Sequence, residues 1–431
     1  MGIGETMNSF IEELKGKRLL ILGGSLWKNG IKQFCDEYGI TIIAAGNDPT
    51  SGICDIANEY YNVNSTDPEV MKKLIREKKI DGVYMGGNEP VIAKACQYIK
   101  EMGLPCYCDK KQWDALQNKD QFKELCIQFD LPVVRKFELE SVTDCDFPVI
   151  TKPADGSGSH GFSVCRNREQ LKNGYSYAAE NSPTATVIIE QFVPNDGIVV
   201  IYTVSEGKLL FSTMENKYPA YFEKYGTYVG GLFDFESELI HEFRSLFESK
   251  LQKLIEYLGI KEGNFWIEVF HDENNYYFNE VGFRYGGSGS LYPVDYFRHI
   301  NQVATDVYYA LTGKSMIKGF TPLYGKNTPH KKKYAIYPVY LMPGKIKKIK
   351  GIDELIEQEN VLNILPMKKE GNIIPDNGSF SQVVMLIHFV YDNYDELQDT
   401  LKTIHKKISV FDETGNEMVL TLLDINSFVL R

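Results

Sequence analysis

The sequence predicts an α/β protein of several domains, and three observations support this class. The chain has 431 residues, which is long enough for two to four domains with sizeable cores. Hydrophobic residues make up 43% and charged residues 24% of the sequence, as is usual for soluble globular proteins. Strand-like and helix-like segments alternate near the N-terminus, which is typical of a parallel, doubly wound sheet.

The N-terminal region reads as two successive strand–turn–helix units. The first has a strand at 18–22, a turn at 23–25, a helix that ends at Tyr38 and a strand at 40–45. The second has a helix near 69–77, a strand at 82–85, a turn at 86–88 and a helix near 90–102. The Gly-Gly-Ser turn at 23–25 also fits dinucleotide binding, but G-x-G-x-x-G is absent, so NAD binding is the weaker interpretation.

The remainder of the chain divides into a central region and a C-terminal region. The central region is predicted to contain helices at 120–129, 237–258 and 295–312, strands at 148–153, 187–193 and 263–270, and a hairpin over 197–213. A loop-like segment at 321–333 then precedes a small α+β region, which carries β-rich stretches at 335–341, 383–390 and 417–422 and one amphipathic helix at 394–408.

Charge, hydropathy and cysteine placement exclude several classes of function. The net charge of −11 argues against a general nucleic-acid binder. No apolar run approaches the roughly 18–20 residues that a membrane helix needs, and the N-terminus lacks an apolar signal core. All eight cysteines precede residue 166, which fits reduced thiols better than a disulfide framework. We therefore expect a cytoplasmic protein without nucleic-acid or membrane partners.

Two strand-like runs, at 263–270 and 279–287, carry the most informative charged residues. Each run delivers one carboxylate, Glu268 and Glu280. Arg284 lies on the same predicted face as Glu280, because strand side chains alternate with period two. Mg²⁺ usually takes one or two protein carboxylates and completes its shell with phosphate and water. The pattern therefore predicts Mg²⁺ held against a polyphosphate, and hence ATP chemistry.

A second phosphate-binding signal precedes these strands. Lys152 is in the sequence Ile-Thr-Lys-Pro, and the glycine-rich loop at 155–161 follows it. The backbone amides of such a loop can point at phosphate oxygens, although a plain surface turn is the alternative interpretation.

Taken in order over about residues 17–315, these segments resemble the ATP-grasp superfamily of carboxylate–amine ligases. The C-terminal region resembles, more weakly, the branch that contains biotin carboxylase and L-amino-acid ligases. The resemblance implies an N-terminal doubly wound domain over 1–115, a two-lobed ATP-grasp core over 116–320 and a small α+β domain over 334–431. The small lobe of the core would cover about 116–193 and the large lobe about 194–320.

The resemblance also implies which residues bind ATP. Lys119 and Lys152 look like the two lysines that meet the phosphates. Residues 190–193 look like the hinge between the lobes, where the Gln191 carbonyl and the Val193 amide would pair with adenine. Glu190 would lie beside the adenine amino group. The implied loop and hinge residues are Gly156, Ser157, Gly158, Ser159, His160 and Gly161 for the loop, and Glu190, Gln191, Phe192 and Val193 for the hinge.

For catalysis, the resemblance implies that Glu268 and Glu280 bind the metal and that Arg284 meets the transferring phosphate. Lys217 is a further candidate for the γ-phosphate or an acyl group, with an exposed strand lysine as an equal alternative. Asp196 is expected to contact the ribose, because the Gly-x-Glu that often follows the hinge is absent here.

Gly282 departs from the family pattern, which has an asparagine two residues after the second metal glutamate. One oxygen ligand of a second Mg²⁺ is then missing. Asn279 is expected not to replace it, because an odd offset from Glu280 places it on the opposite face of a regular strand.

The predicted function is an ATP-dependent ligase that joins a small-molecule carboxylate to an amine through an acyl-phosphate, releasing ADP and phosphate. Its cofactors would be ATP and Mg²⁺, with Mn²⁺ as a substitute, and a homodimer is one expected assembly. Two alternatives stay open: a bicarbonate-using carboxylase-type enzyme, and a nucleotide-binding regulator without catalysis. Aromatic residues are expected to line the acceptor site or to pack on a loop: Tyr218, Tyr221, Phe222, Tyr225 and Tyr228.

Overall fold

The structure is a computed structural model, and it describes residues 12–154, 161–193, 197–272, 275–323 and 332–424. Four sheets organise these residues. Two large hydrophobic clusters connect the N-terminal sheet with the nine-stranded sheet described below, and a smaller cluster fills the small lobe. No helix within these ranges is both long enough and apolar enough to cross a membrane.

The N-terminal region forms a parallel four-stranded sheet in the order β3-β2-β1-β4. Its elements are β1 Arg18–Ile21, α1 Lys28–Tyr38, β2 Thr41–Gly46, β3 Glu59–Asn62, α2 Pro68–Glu77, β4 Gly82–Tyr84 and α3 Glu89–Glu101. The sequence predicted all of these except β3. The Asn88 side chain caps α3 by accepting from the Val91 amide, so Glu89 begins the helix just beyond the end of β4.

The segment predicted as the small lobe forms an antiparallel four-stranded sheet in the order β5-β8-β6-β7, with helices beside it. Its elements are α4 Lys110–Gln117, α5 Lys119–Gln128, β5 Lys136–Phe137, β6 Val149–Pro153, β7 Ser163–Cys165, α6 Arg168–Glu180 and β8 Val187–Gln191. Asn118 caps α5 by accepting from the amides of Asp120 and Gln121. Lys119 is therefore the first residue of the helix, one residue before the predicted start at 120.

The largest sheet has nine strands, eight of them in the order β13-β12-β9-β10-β11-β14-β18-β16, and β20 pairs with β14. Its first part contains β9 Ile198–Ser205, β10 Lys208–Phe222, β11 Thr227–Phe235, α7 Ile240–Tyr257, β12 Gly263–His271 and β13 Tyr276–Gly282. The predicted hairpin at 197–213 is longer than expected, and β11 was not predicted. Two alternatives were open for the aromatic group, and packing on a loop is wrong for most of its members. Tyr218, Tyr221 and Phe222 lie on β10, and Tyr228 lies on β11.

Four of the strands after residue 332 continue this same sheet, and three form another. The later elements are α8 Leu291–Arg298, α9 Gln302–Thr312, β14 Lys333–Leu341, β15 Gly344–Lys350, α10 Ile352–Ile356, β16 Val361–Pro366, β17 Ile373–Ile374, β18 Val383–Tyr391, α11 Tyr394–Lys407, β19 Ser409–Asp412 and β20 Val419–Leu420. Strands β15, β17 and β19 form a separate three-stranded sheet. The domain boundaries at 115, 320 and 334 stay a prediction.

The single helix expected over 295–312 is wrong, because two helices occupy this segment. The left-handed backbone of His299, with φ of 54°, ends α8, and its amide donates to the Asp295 carbonyl. Asn301 then caps α9 by accepting from the Ala304 amide. Two capping interactions within three residues override the continuous apolar pattern on which the prediction depended.

Candidate active site

Three glutamates lie in one row across the large sheet. On β9, Val199 pairs with Glu215 of β10 on one side and with Glu268 of β12 on the other. Glu268 in turn pairs with Glu280 of β13. Residues directly opposite one another in antiparallel strands share a face, so all three carboxylates project from the same face of the sheet. We call Glu215, Glu268 and Glu280 the carboxylate row.

Two members of the carboxylate row, Glu268 and Glu280, each form an ion pair with a lysine. The Lys217 ammonium donates to Glu268 Oε1, and Lys119 Nζ is 2.8 Å from Glu280 Oε2. Burial tends to raise the pKa of Glu268, but the Lys217 ammonium, the hydrogen bond from Asn279 and the charge of Lys119 together hold that pKa below the usual value. Like charges directly opposite repel, so the two lysines stabilise the facing pair. The same pair of carboxylates has the oxygen chemistry that Mg²⁺ prefers.

A β-bulge changes the direction of Asn279. Glu268 pairs with Glu280, but the next residue, Val269, pairs with Phe278, so Asn279 is an extra residue without a partner in the ladder. The Asn279 Nδ2 atom donates to Glu268 Oε2 at 2.7 Å. The expectation that Asn279 lies away from the metal glutamates is therefore wrong. It assumed a strand of strict period two, which the bulge interrupts.

The indole of Trp266 explains why position 282 is a glycine. Trp266 is the cross-strand partner of Gly282, and a Cβ atom on Gly282 would lie 2.0 Å from the indole Nε1. No side chain fits there while the indole keeps this position. The indole Nε1 is buried and has no hydrogen-bond partner among the described residues.

Glu215 is a functional candidate that the sequence analysis missed. Glu215 is 2% exposed, and Ser288 Oγ donates to Glu215 Oε2 at 2.9 Å. Burial raises the pKa of Glu215 to about 7, even though the Lys217 ammonium acts in the opposite direction. The available signal was its position two residues before Lys217 on a strand, which places both side chains on one face.

A cavity of about 380 Å³ opens beside the carboxylate row. Its walls come from β9 to β13, from the 286–290 turn and from the segment before β18. The described lining residues are Gly197, Val199, Glu215, Lys217, Pro219, Tyr228, Val229, Gly230, Phe233, Trp266, Glu268, Glu280, Gly286, Gly287, Ser288, Ser290 and Phe380. Lys217 is the only cationic side chain in this described set.

A second charged group lies in the small lobe. Glu190, at the end of β8, is 1% exposed, accepts from the Lys123 ammonium and lies 2.6 Å from Lys152 Nζ. Burial alone would raise the pKa of Glu190, but the two ammonium groups hold it below its usual value. We call Lys123, Lys152 and Glu190 the small-lobe cluster. Lys123 was not predicted, because it contacts Glu190 only through the fold.

The rest of the predicted hinge lies beside the starts of β5 and β6 in the structure. The Gln191 amide donates to the Arg135 carbonyl at 2.9 Å, and the Phe192 amide donates to the Pro148 carbonyl at 3.2 Å. Val193 is buried just beyond the strand. Glu190 binds the two lysines in this structure, whereas the sequence analysis expected it beside the adenine amino group.

Arg284 contacts the N-terminal region. Its Nε and Nη2 atoms donate to Glu89 Oε1 at 3.0 and 2.7 Å, and its Nη1 atom donates to the Tyr285 carbonyl at 2.7 Å. The guanidinium also lies 5.3 Å from the centre of the Trp266 ring. Glu89, at the start of α3, is therefore another residue near the site that the sequence analysis did not identify.

Six predicted residues lie outside the described ranges: Gly156, Ser157, Gly158, Ser159, His160 and Asp196. Gly161, at the end of the predicted loop, is described. Its φ is +77°, and a Cβ atom there would lie 2.6 Å from Pro153 Cγ, so both backbone and space require glycine.

Residues 114–313 match the family model of the ATP-grasp domain. The chain contains an ATP-grasp domain. The formate-dependent phosphoribosylglycinamide formyltransferase of Bacillus subtilis is 22% identical over 280 residues, covering 62% of this chain and 70% of that protein. The predicted ATP-grasp domain and α/β fold class are thus confirmed.

Two solved structures have the same fold as this chain. The L-amino acid ligase of Bacillus licheniformis is 19% identical to this chain, with a TM-score of 0.69. The aligned region covers 93% of this chain and 99% of the ligase chain. The second structure is the biotin carboxylase domain of Hydrogenobacter thermophilus 2-oxoglutarate carboxylase, solved with MgADP and bicarbonate. It is 15% identical with a TM-score of 0.70, and the aligned region covers 93% of this chain and 91% of that domain. At the level of the family, the predicted ADP-forming ligase type, small-molecule substrates, ATP and Mg²⁺ are confirmed.

The residues of this ATP-grasp domain fit a magnesium ion. Glu268 and Glu280 face each other, and Asn279 orients Glu268. Within the described ranges, no group of three or more His, Cys, Asp or Glu side chains could hold a metal. Two carboxylates suffice for Mg²⁺, because phosphate and water supply its other ligands.

Proposed function

We propose that this protein activates a small-molecule carboxylate with ATP and joins it to an amine, forming an amide bond and releasing ADP and phosphate. The facing pair of Glu268 and Glu280, with a lysine on each carboxylate and a cavity beside it, carries this proposal. Carboxylates, ammonium groups and a cavity of substrate size then lie within one site.

Lys119 and Lys217 are proposed to bind the phosphate groups that are transferred. A lysine is a compact cation on a flexible stem, so it can turn from a carboxylate to a phosphate oxygen. The side chain of Lys119 is 67% exposed, which leaves it room to move. Bound Mg²⁺ would be held by Glu268 and Glu280 and would supply positive charge against the phosphate oxygens.

In the first proposed step, an oxygen of the substrate carboxylate attacks the γ-phosphorus of ATP, and ADP leaves. In the second, the amine nitrogen attacks the acyl carbon, the bond from this carbon to the phosphate oxygen breaks, and the amine loses a proton. The protein contributes position and charge neutralisation to both steps. Arg284 is proposed to meet the phosphate, because its three bonds use only three of the five N–H donors of a guanidinium.

The remaining ATP contacts are also proposals. Residues 190–193 would hold adenine, Asp196 would contact ribose, and the small-lobe cluster would present Lys152 to the phosphates. The glycine loop at 156–161 would cover them. Excess positive charge in the small-lobe cluster supports this assignment, since two lysines there share one carboxylate.

The proposed setting is a cytoplasmic protein with the domain boundaries given above and a homodimeric assembly. All eight cysteines are free thiols in the structure, which supports a reducing compartment. Size-exclusion chromatography with light scattering tests the assembly: a mass of one chain would contradict the homodimer.

The decisive experiment measures ADP and hydroxamate formation with ATP, Mg²⁺, hydroxylamine and a panel of carboxylic acids. We expect one acid class to give hydroxamate, because hydroxylamine replaces the unknown amine. Glu280→Gln should lower both products by about 100-fold or more, the usual cost of removing one charge-stabilising group from a site. Glu357→Gln, at an exposed helix end, serves as the matched control.

Each other outcome selects an alternative. Release of ADP with bicarbonate alone would replace the amide-forming reaction by a carboxylase-type reaction. ATP binding without turnover across the whole panel would favour a regulator without catalysis. Unchanged turnover in Glu280→Gln would remove the proposed metal site.

A further inference from the structure

We infer that the cavity beside the carboxylate row binds an amine substrate that carries a primary ammonium group and an apolar side chain but no phosphate, with Glu215 as the partner of the ammonium. The inference rests on the proposed ligase function and names the class of its amine substrate. It depends on three properties of the cavity: a buried carboxylate, an apolar wall and a shortage of cations.

The buried carboxylate is Glu215. Burying a carboxylate costs free energy unless hydrogen bonds or an opposite charge compensate it. Ser288 Oγ supplies one hydrogen bond, to Oε2, and the nearby Lys217 ammonium is bound to Glu268. A carboxylate can accept about four hydrogen bonds. Its position in the cavity wall therefore suits a ligand that brings its own positive charge and several N–H donors.

Glu215 is separate from the predicted metal ligands. It lies two strands from Glu268, with Val199 of β9 between them, which corresponds to roughly 10 Å at the usual strand spacing. The charged groups that act on Glu215 are Lys217 and, more weakly, Glu268. An ammonium at Glu215 would thus lie beside the metal and phosphate site without occupying it.

Aromatic side chains form the apolar wall. Phe233 of β11 and Phe380 have ring centres 6.2 Å apart, and both line the cavity together with Trp266. Thr227 Oγ1 donates to the Gly378 carbonyl at 2.9 Å, which ties the start of β11 to the segment that carries Phe380. A cavity of about 380 Å³ with such a wall suits a side chain the size of leucine or phenylalanine.

The charge balance of the cavity disfavours a phosphorylated amine. Its described lining contains three glutamates and one lysine, and that lysine already binds Glu268. Arg284 is bound to Glu89 and does not line the cavity. A second phosphate beside that of ATP would meet excess negative charge here. In this respect the cavity does not suit a phosphoribosyl substrate such as the one in the name of the Bacillus subtilis relative.

The test is a calorimetric titration of the full chain, without ATP, with three probes. The probes are 2-phenylethylamine, its neutral counterpart 2-phenylethanol, and O-phosphoethanolamine. We expect 2-phenylethylamine to bind at least tenfold more tightly than either of the others. Equal affinity for the amine and the alcohol, or preference for the phosphorylated amine, would overturn the inference. The unmodified protein is sufficient for this part of the test.

Two variants then locate the site. Glu215→Gln should abolish the preference for amine over alcohol, and Phe233→Ala should weaken both probes together, while Glu357→Gln should change neither. A preference that survives in a folded Glu215→Gln protein would place the ammonium elsewhere and overturn the assignment. Because no measurement here involves ATP turnover, a negative result is distinguishable from failure of the proposed ligase reaction.

Discussion

In the small lobe two lysines, Lys123 and Lys152, bind one carboxylate, whereas in the large lobe three carboxylates lie in a row with two lysines beside them. The small-lobe cluster therefore has excess positive charge, and the carboxylate row has excess negative charge. The two regions therefore suit different groups of the same reaction. Phosphate oxygens favour the first environment, and metal ions or ammonium groups favour the second.

One ion pair from each region also differs in burial from its counterpart in the other region. The side chains of Lys123 and Glu190 are 8% and 2% exposed, whereas those of Lys119 and Glu280 are 67% and 28% exposed. A buried ion pair is costly to break, because the remaining charge stays in a poorly solvated place. We therefore expect the loss of Glu190 to affect folding, and the loss of the more exposed Glu280 to affect chemistry.

The largest expected effect comes from Glu190→Gln. It leaves the buried Lys123 ammonium without its carboxylate, so the free energy of unfolding should fall by about 3–5 kcal/mol. Urea unfolding monitored by circular dichroism measures this change. Adding Lys123→Met should recover part of the loss, because the uncompensated charge is then removed. Wild-type stability in the single variant would show that the pair is not buried as described.

The next effect sharpens the role of the carboxylate row. Glu268→Gln should lower ADP release by about 100-fold or more, as expected when one charge-stabilising group is lost. Its unfolding free energy should change much less than that of Glu190→Gln. Electron paramagnetic resonance of added Mn²⁺ should show weaker binding. Unaltered Mn²⁺ affinity would move the metal away from Glu268.

Asn279→Ala tests whether the bulge residue orients Glu268. Loss of a residue that orients a metal ligand typically weakens metal affinity by about 10–100-fold, so we expect a change of that order in Mn²⁺ binding. The matched control is Asn173→Ala, on the exposed side of α6. A stronger effect on stability than on Mn²⁺ affinity would assign Asn279 a structural role only.

The smallest effect concerns pH. The folded-state pKa of Glu190 is below the ordinary carboxyl value, so its contribution to stability is present above that ordinary value and is lost as pH falls through the folded-state pKa. The difference in unfolding free energy between wild type and Glu190→Gln should therefore shrink on acidification from pH 7. Urea titrations at several pH values measure it, and a difference that grows on acidification would contradict this sign.

The order of strands and helices could largely be predicted from the sequence, because periodicity and capping residues act over a few neighbours. The paired strands that carry Glu268 and Glu280 are an example. The failures have local causes as well. Strand β3 is only four residues long, and the 295–312 segment contains an internal cap at Asn301. Strand β11 follows a short turn, and its sequence was interpreted as part of a loop.

The sequence by itself determined that Glu268 and Glu280 lie on two successive strands, since strand formation depends on a local pattern of residues. Only the tertiary structure decided the rest of the site. Glu215 joins the row through the register of β9 with β10, and Asn279 turns inward through a bulge. Arg284 meets Glu89 across 195 residues of sequence. Such contacts depend on how sheets and domains pack, and no local pattern of side chains encodes that packing.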